Sequence, residues 1–476
     1  MECAVLPQSE MILYCLVSFT SHLYSFYQLH VFSTEHEESL DREVQLEDGF
    51  LITGSKKDAS DFEWSFWNEW AWRSLLWSLI GHAVVSQLCS VCSPQLRKAI
   101  LTVYGVLCAW WLLGWRGVVV LMLHLSISLA VAQLQSSALT WVCALFLLST
   151  LHITSIQEVQ RDWYDSDQNY YLLMFSTAMC VLRCISFSLE LCWSPLQGTQ
   201  TISCFSFLNF KKLLTQFYNL VSYGFYHPLF YNGPIINYNY FRQQMDRMVC
   251  STSPSWLLSQ VLRLCVWWCL AEFMIHFMYM HSIQNNEIFL NMLPSWALGG
   301  LALALVQFFY VKYLVLFGVA SLLMKLDGVE PPPLPRCVST MYSFQGMWRQ
   351  FDVGLYRWLI RDQHHTFPLL ASSSSHCSLF SDSTHEEAWP CTYLCILYSS
   401  VNSVQSGVSG RNSRWPCLLE ESVPGRLVHH GGSCARVSLL LRAGWTGSGQ
   451  KEEMKIVCTF SLWLTTQCCI ETGLVQ

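Results

Sequence analysis

The chain has 476 residues, of which 52% are hydrophobic, 14% aromatic and only 13% charged. Soluble domains carry about 25% charged residues. Charge this scarce, with a mean hydropathy of +0.31, excludes an ordinary water-soluble globule and places most of the chain in a bilayer. The net charge of −6 argues against a nucleic-acid partner.

The first long apolar run, "MILYCLVSFTSHLYSFYQLH" (11–30), follows a leader without Lys or Arg, and no small-residue cleavage site comes after it. A retained anchor is expected rather than a cleaved signal peptide. Residues 33–70 are strongly acidic and end in a Trp-rich belt of Trp64, Trp67 and Trp70, with Trp72 just beyond. The belt suits an interfacial helix or the membrane entry of the next span; a solvated loop with an aromatic anchor is the plainer reading. Further spans are expected at about 71–92, 99–114, 117–133, 137–153, 170–193, 213–231, 255–281 and 296–324, making eight to nine apolar segments because short ones can tilt, re-enter or merge. The 22 cysteines show no disulfide framework. Cys89 and Cys92 form a lone CxxC, read as two small apolar residues at a membrane boundary, with acylation as the alternative. No internal repeat supports a transporter.

Ionisable side chains inside apolar spans are expensive, so each is a candidate for function. His82 and His124 stand alone on apolar helices and are expected to be satisfied by a neighbouring carbonyl or hydroxyl. Glu272 and His276 are four apart, hence on one helix face, where they can pair, line a polar cavity or join two helices. Within 225–245, Pro228 and the pair Gly233–Pro234 predict an irregular break, either a loop at the membrane face or the lip of a pocket.

The stretch "KLDGVEPPPLPRCVSTMYSFQGMWRQFDVGLYRWLIR" (325–361) is the most basic part of the core, which indicates the cytoplasmic side. Lys325, Arg336, Arg349, Arg357 and Arg361 beside aromatics also suit CoA phosphates. Asp352, between Phe351 and Val353, is the best single catalytic candidate; a salt bridge to Arg349 or Arg357 is the structural alternative. After Arg361 the texture changes. Ser, Gly and Cys rise, and no run of 18 apolar residues exists between 362 and 476. The expected division is therefore a multi-pass domain at 1–361 and a poorly ordered, Ser/Cys-rich, non-family tail at 362–476.

Five stretches together resemble the membrane-bound O-acyltransferase family, in its protein-palmitoylating branch: "KKDASDFEWSFWNEW" (56–70), "SFSLELCW" (186–193), "NGPIINY" (232–238), "LGGLALALVQFFYVKYLVLFGV" (298–319) and "PRCVSTMYSFQGMWRQFDVGL" (335–355). The similarity runs from about residue 11 to Arg361. It implies an all-α, polytopic membrane protein of the endoplasmic reticulum, with the Golgi as an alternative, incomplete at its C-terminus. The implied reaction moves palmitate from palmitoyl-CoA to the N-terminal cysteine of Hedgehog-family proteins. In the family, an Asp at the position of Asp352 works with a downstream membrane-helix His; the carboxylate orients the imidazole, which deprotonates the attacking amine. The resemblance also makes Cys337 an axial ligand of haem b iron and Trp348 the gate of an acyl-CoA pocket. Where the family carries "W-H-G-G", this chain reads "DQHHTFPLLASSSSHCSLF"; a similar "LVHHGG" (427–432) places His430 78 residues beyond Asp352, between flanks that do not form a membrane helix. Two readings stand: a palmitoyltransferase, or a truncated, catalytically inactive form acting as a membrane binding protein.

Overall fold

The computed structural model describes residues 7–44, 46–49, 56–193, 207–247, 253–338, 341 and 344–361. The 362–476 tail and its "LVHHGG" lie outside them. Helices α1 (Gln8–Glu35) and α2 (Glu37–Val44) precede a short antiparallel ribbon in which β1 (Glu47–Asp48) pairs with β2 (Lys56–Lys57). Helix α3 (Phe62–Trp70) starts at Asp61, whose carboxylate accepts a 2.7 Å hydrogen bond from the Trp64 N–H. A π-helical turn, Ala71–Leu75, carries it into α4 (Leu76–Cys92).

The expected spans at 99–114 and 117–133 fall on α5 (Arg97–Ala132), which consists of two helical halves meeting at a kink. The halves meet at Gly114, whose non-helical backbone (φ 70°, ψ 173°) interrupts the helix there. Glycine, with no Cβ, takes that conformation at little cost. Helix α6 (Ser137–Ser149) turns by 62° into α7 (Thr154–Arg161). Then follow α8 (Asp167–Trp193), α9 (Phe207–Gly224), α10 (Tyr238–Met245), α11 (Pro254–Phe277), α12 (Met280–Asn285), α13 (Glu287–Met292), α14 (Ser295–Leu326), α15 (Phe344–Phe351) and α16 (353–361).

Among the described residues, five helical stretches are long and apolar enough to cross a membrane: Phe62–Cys92, Arg97–Ala132, Asp167–Trp193, Pro254–Phe277 and Ser295–Leu326; the bent α6–α7 pair makes a sixth if it counts as one. The run expected at 11–30 is helical, as part of α1, and that expected at 213–231 is helical, in α9, only as far as Gly224; both stand outside this group. Ser, His, Gln and Glu residues dilute α1, while Lys211, Lys212, Gln216 and Asn219 dilute α9. Outward faces carry exposed Trp110, Trp111, Val119, Leu262 and Val266, the surface a lipid solvent rewards. Helix α8 lies mostly inside the protein and packs with α5 and α9, whereas α1, α11 and α14 build a second cluster around Leu29, Ile275 and Leu301.

The intramembrane histidines and Glu272 singled out from the sequence each find a partner. His124 Nδ1 sits 2.8 Å from the Val120 carbonyl, the neutral partner expected. His82 does not follow that expectation. Its Nε2 lies 2.9 Å from the buried Asp327 carboxylate, which also accepts from Tyr226 (2.5 Å) and Ser86. Arg97 donates to the Asp327 carbonyl at 2.8 Å, so the residue closing α14 ties α4, α5 and the 226–229 turn together. A buried polar network is stable only when its members are satisfied in this way. Glu272 joins two helices, accepting from Trp64 Nε1 (2.9 Å) and Asn68 (3.2 Å) on α3, with His276 Nδ1 3.8 Å away. The irregular 225–236 segment is buried within protein, the setting in which non-helical backbone survives at membrane depth. Cys89 is buried, Cys92 is exposed, and both are free thiols.

Candidate functional site

The middle of α14 contains one cation in a long apolar run, Lys312. Its side chain is only 6% exposed, and its Nζ lies 3.0 Å from both Asp61 and Glu63. A buried charge is tolerable only when paired, and here two carboxylates from the start of α3 pair it. Burial works to raise Asp61, but the fields of Lys312 and then His281 outweigh it and hold the carboxyl below its ordinary range. The Tyr313 hydroxyl donates to Glu63, 3.1 and 3.2 Å from its two oxygens. One wall of α14 thus presents a fixed polar triad.

The same wall receives the two segments singled out from the sequence. Cys337 is half-buried, its Sγ 3.9 Å from Gln307 Oε1. Phe351 stacks on Phe309 at 4.7 Å and meets the edge of Tyr313 at 5.3 Å. Asp352 follows at once, in the bend between α15 and α16. Its Oδ1 accepts from the Leu355 N–H at 2.9 Å and its carbonyl from the Tyr356 N–H at 3.0 Å, so Asp352 caps α16. On the far side of the bend, a Cβ on Gly354 would overlap the Ile235 carbonyl oxygen, so glycine lets the two backbones meet. Trp358 and Leu359 anchor α16 against Val181, Ile185 and Leu189 of α8.

The salt bridge considered for Asp352 is not formed among the described residues. Arg349 lies over the Tyr356 ring at 5.6 Å, and Arg357 is exposed. Burial pushes the Asp352 carboxyl up to about 6, against the opposing pull of the Leu355 and Gly354 N–H groups. Loss of hydration outweighs the two backbone hydrogen bonds that favour the ionised form. Trp348 lies on α15, one turn before Asp352. The basic residues of this region disperse: Lys325 pairs with Glu330 at 3.4 Å and Arg361 with Glu190, while Arg336 and Arg357 remain exposed. Sequence reasoning missed Lys312, Asp61, Glu63 and Tyr313. The available signal was the lone cation in the 298–319 run, since an ionisable residue in a span needs a partner.

The fold and site define a class: an all-α, multi-pass membrane protein with a partly buried carboxylate at a helix junction beside α14. Residues 119–381 match the membrane-bound O-acyltransferase family, a stretch that contains Cys337 and Asp352 and continues past Arg361. The chain is 44% identical over 429 residues to protein-cysteine N-palmitoyltransferase HHAT of Mus musculus, covering 87% of this chain and 84% of that protein. It is 29% identical to the mouse HHAT-like protein over 75% of this chain and 68% of the relative. It is 26% identical to the Drosophila melanogaster palmitoyltransferase Rasp over 52% and 47%. The chain belongs to the membrane-bound O-acyltransferase family.

Proposed function

We propose that this protein is an N-palmitoyltransferase of the endoplasmic reticulum membrane that moves palmitate from palmitoyl-CoA to the N-terminal cysteine of Hedgehog-family proteins. The observation that carries this reading is the 44% identity across 84% of a protein-cysteine N-palmitoyltransferase. The chemistry of Asp352 supports it. An α-amino group has a pKa of about 7.7–8.0 and attacks only when neutral. Asp352, with a pKa of about 6, is largely ionised at pH 7.4 and accepts the ammonium proton. The free amine then adds to the thioester carbonyl. As the C–N bond forms and the C–S bond breaks, the second amine proton leaves and the CoA thiolate takes one up. The histidine that the resemblance pairs with this carboxylate lies outside the described residues.

Trp348 gates the acyl-CoA pocket in this reading. Cys337, a half-buried thiol, has the chemistry of an axial haem ligand; thiolate ligation would need no second protein donor. The haem would serve the fold beside α14, and no step of transfer runs through it.

The test is expression of residues 1–476 in cells lacking the native enzyme, with palmitate measured on a Hedgehog N-terminal peptide. Amide-linked palmitate is expected. A His430→Ala variant reports whether "LVHHGG" takes part. The alternative is a non-enzymatic membrane binding protein, which the identity to a palmitoyltransferase does not favour. Palmitoyl-CoA binding without transfer would establish it.

A further inference from the structure

The bend holding Asp352 is fixed by its neighbours, because the Asp352 side chain itself accepts from the Leu355 and Gly354 N–H groups of its own turn. On one side the fixing residue is Phe351, buried between Phe309 and Tyr313 of α14. Two phenyl rings in apolar surroundings can slide past one another at little cost. The Tyr313 ring cannot, because its hydroxyl is tied to both Glu63 carboxylate oxygens. Glu63 is tied in turn to Lys312, and Lys312 to Asp61, the cap of α3. The charged groups around this wall are Asp61 and Glu63, Lys312, His281 of α12 at 3.5 Å from Asp61, and Arg349 of α15.

We propose that Tyr313 is a positioning residue for Asp352: its ring, locked through Glu63 and Lys312, sets the Phe351–Asp352 bend and so the direction in which the carboxylate meets its substrate. The inference rests on the reading of Asp352 as the proton acceptor. Misplacing a reacting group by about 1 Å can cost about a hundredfold in rate, and loss of one hydroxyl tether should release a fraction of that.

The experiment uses the full chain and Tyr313→Phe, which keeps the ring and removes the tether. The expected result is kcat lowered about tenfold with KM for palmitoyl-CoA unchanged within about twofold; unchanged kcat overturns the proposal. A second measurement needs no turnover. Thermal midpoints are followed from about pH 4 to 8 for the parent, Tyr313→Phe, Asp352→Asn and the double variant. The raised pKa of Asp352 makes the parent lose stability as pH rises from about 4 through 6. A loosened bend hydrates the carboxyl, so Tyr313→Phe should show a shallower loss that ends at lower pH. In the Asp352→Asn background the same substitution should leave the pH profile unchanged. An equal displacement at every pH in both backgrounds overturns the proposal, because a merely structural residue behaves that way. If the parent transfers no palmitate, the enzymatic reading fails while the pH cycle still decides the role of Tyr313. Should Tyr313→Phe not accumulate, Glu63→Ala removes the acceptor of the Tyr313 hydroxyl and is judged by the same two outcomes.

Discussion

Asp352→Asn separates a functional carboxylate from a structural cap. The substitution keeps the size of the side chain and an acceptor for the Leu355 N–H, and removes the charge. Burial raises the carboxyl from its ordinary 3.8 to about 6. Each tenfold change in an ionisation constant is about 1.4 kcal/mol, so holding the ionised form in this bend costs at most about 3 kcal/mol. The side chain keeps partial access to water, which reduces the cost to about 1–2 kcal/mol. The folded pKa lies above the unfolded one, so the folded chain holds more protons between about pH 4 and 6, and stability falls across that window. Above it the deficit is constant. Asp352→Asn should therefore match the parent near pH 4 and exceed it by about 1–2 kcal/mol at pH 7.4, while transfer drops by about 10²–10⁴-fold. The assay is the pH dependence of the thermal midpoint in detergent, run beside the rate of peptide palmitoylation. An Asn variant that is less stable than the parent at pH 7.4, or one that turns over normally, would refute the reasoning.

Three further outcomes are expected. Gly354→Ala should drive a methyl into the Ile235 carbonyl, cost about 1–3 kcal/mol and reduce the transfer rate per folded molecule; unchanged midpoint and rate would show that the backbones can separate freely. Lys312→Met leaves Asp61 and Glu63 buried without their cation and should cost about 3–5 kcal/mol, read as loss of monodisperse protein on size-exclusion chromatography; a parent-like elution profile and midpoint would contradict the triad. Purified protein should show a Soret band that Cys337→Ala removes or shifts, and an unchanged spectrum would leave Cys337 an ordinary thiol.

The membrane class was legible because lipid demands long apolar runs, and sequence displays those directly. So was the break between 99–114 and 117–133, which falls at the non-helical Gly114. Asp352 was legible as the acidic residue of an aromatic, Arg-flanked helix. Its surroundings were not, because helical spacing from Arg349 or to Arg357 presumes one unbroken helix, and the bend at Asp352 puts Arg349 over the Tyr356 ring instead. The partners of His82 and Lys312 were illegible for a different reason. Asp327 lies 245 residues from the first and Asp61 lies 251 from the second, and no local pattern reports such pairings.

Those separations have a consequence for how the protein is made. Helix α4 enters the bilayer carrying His82, and α3 carries Asp61 and Glu63, long before the ribosome has produced their partners on α14. At about 5–20 residues per second, the wait is roughly ten to fifty seconds. During that interval the early helices hold polar groups that hydrocarbon penalises, so they must linger at the translocon, at the interface, or beside another protein that shields them. Assembly is therefore gated by the arrival of α14. Substitutions at Lys312 or Asp327 should lengthen the exposed interval and send nascent chains to degradation, even where a finished molecule would have tolerated the change.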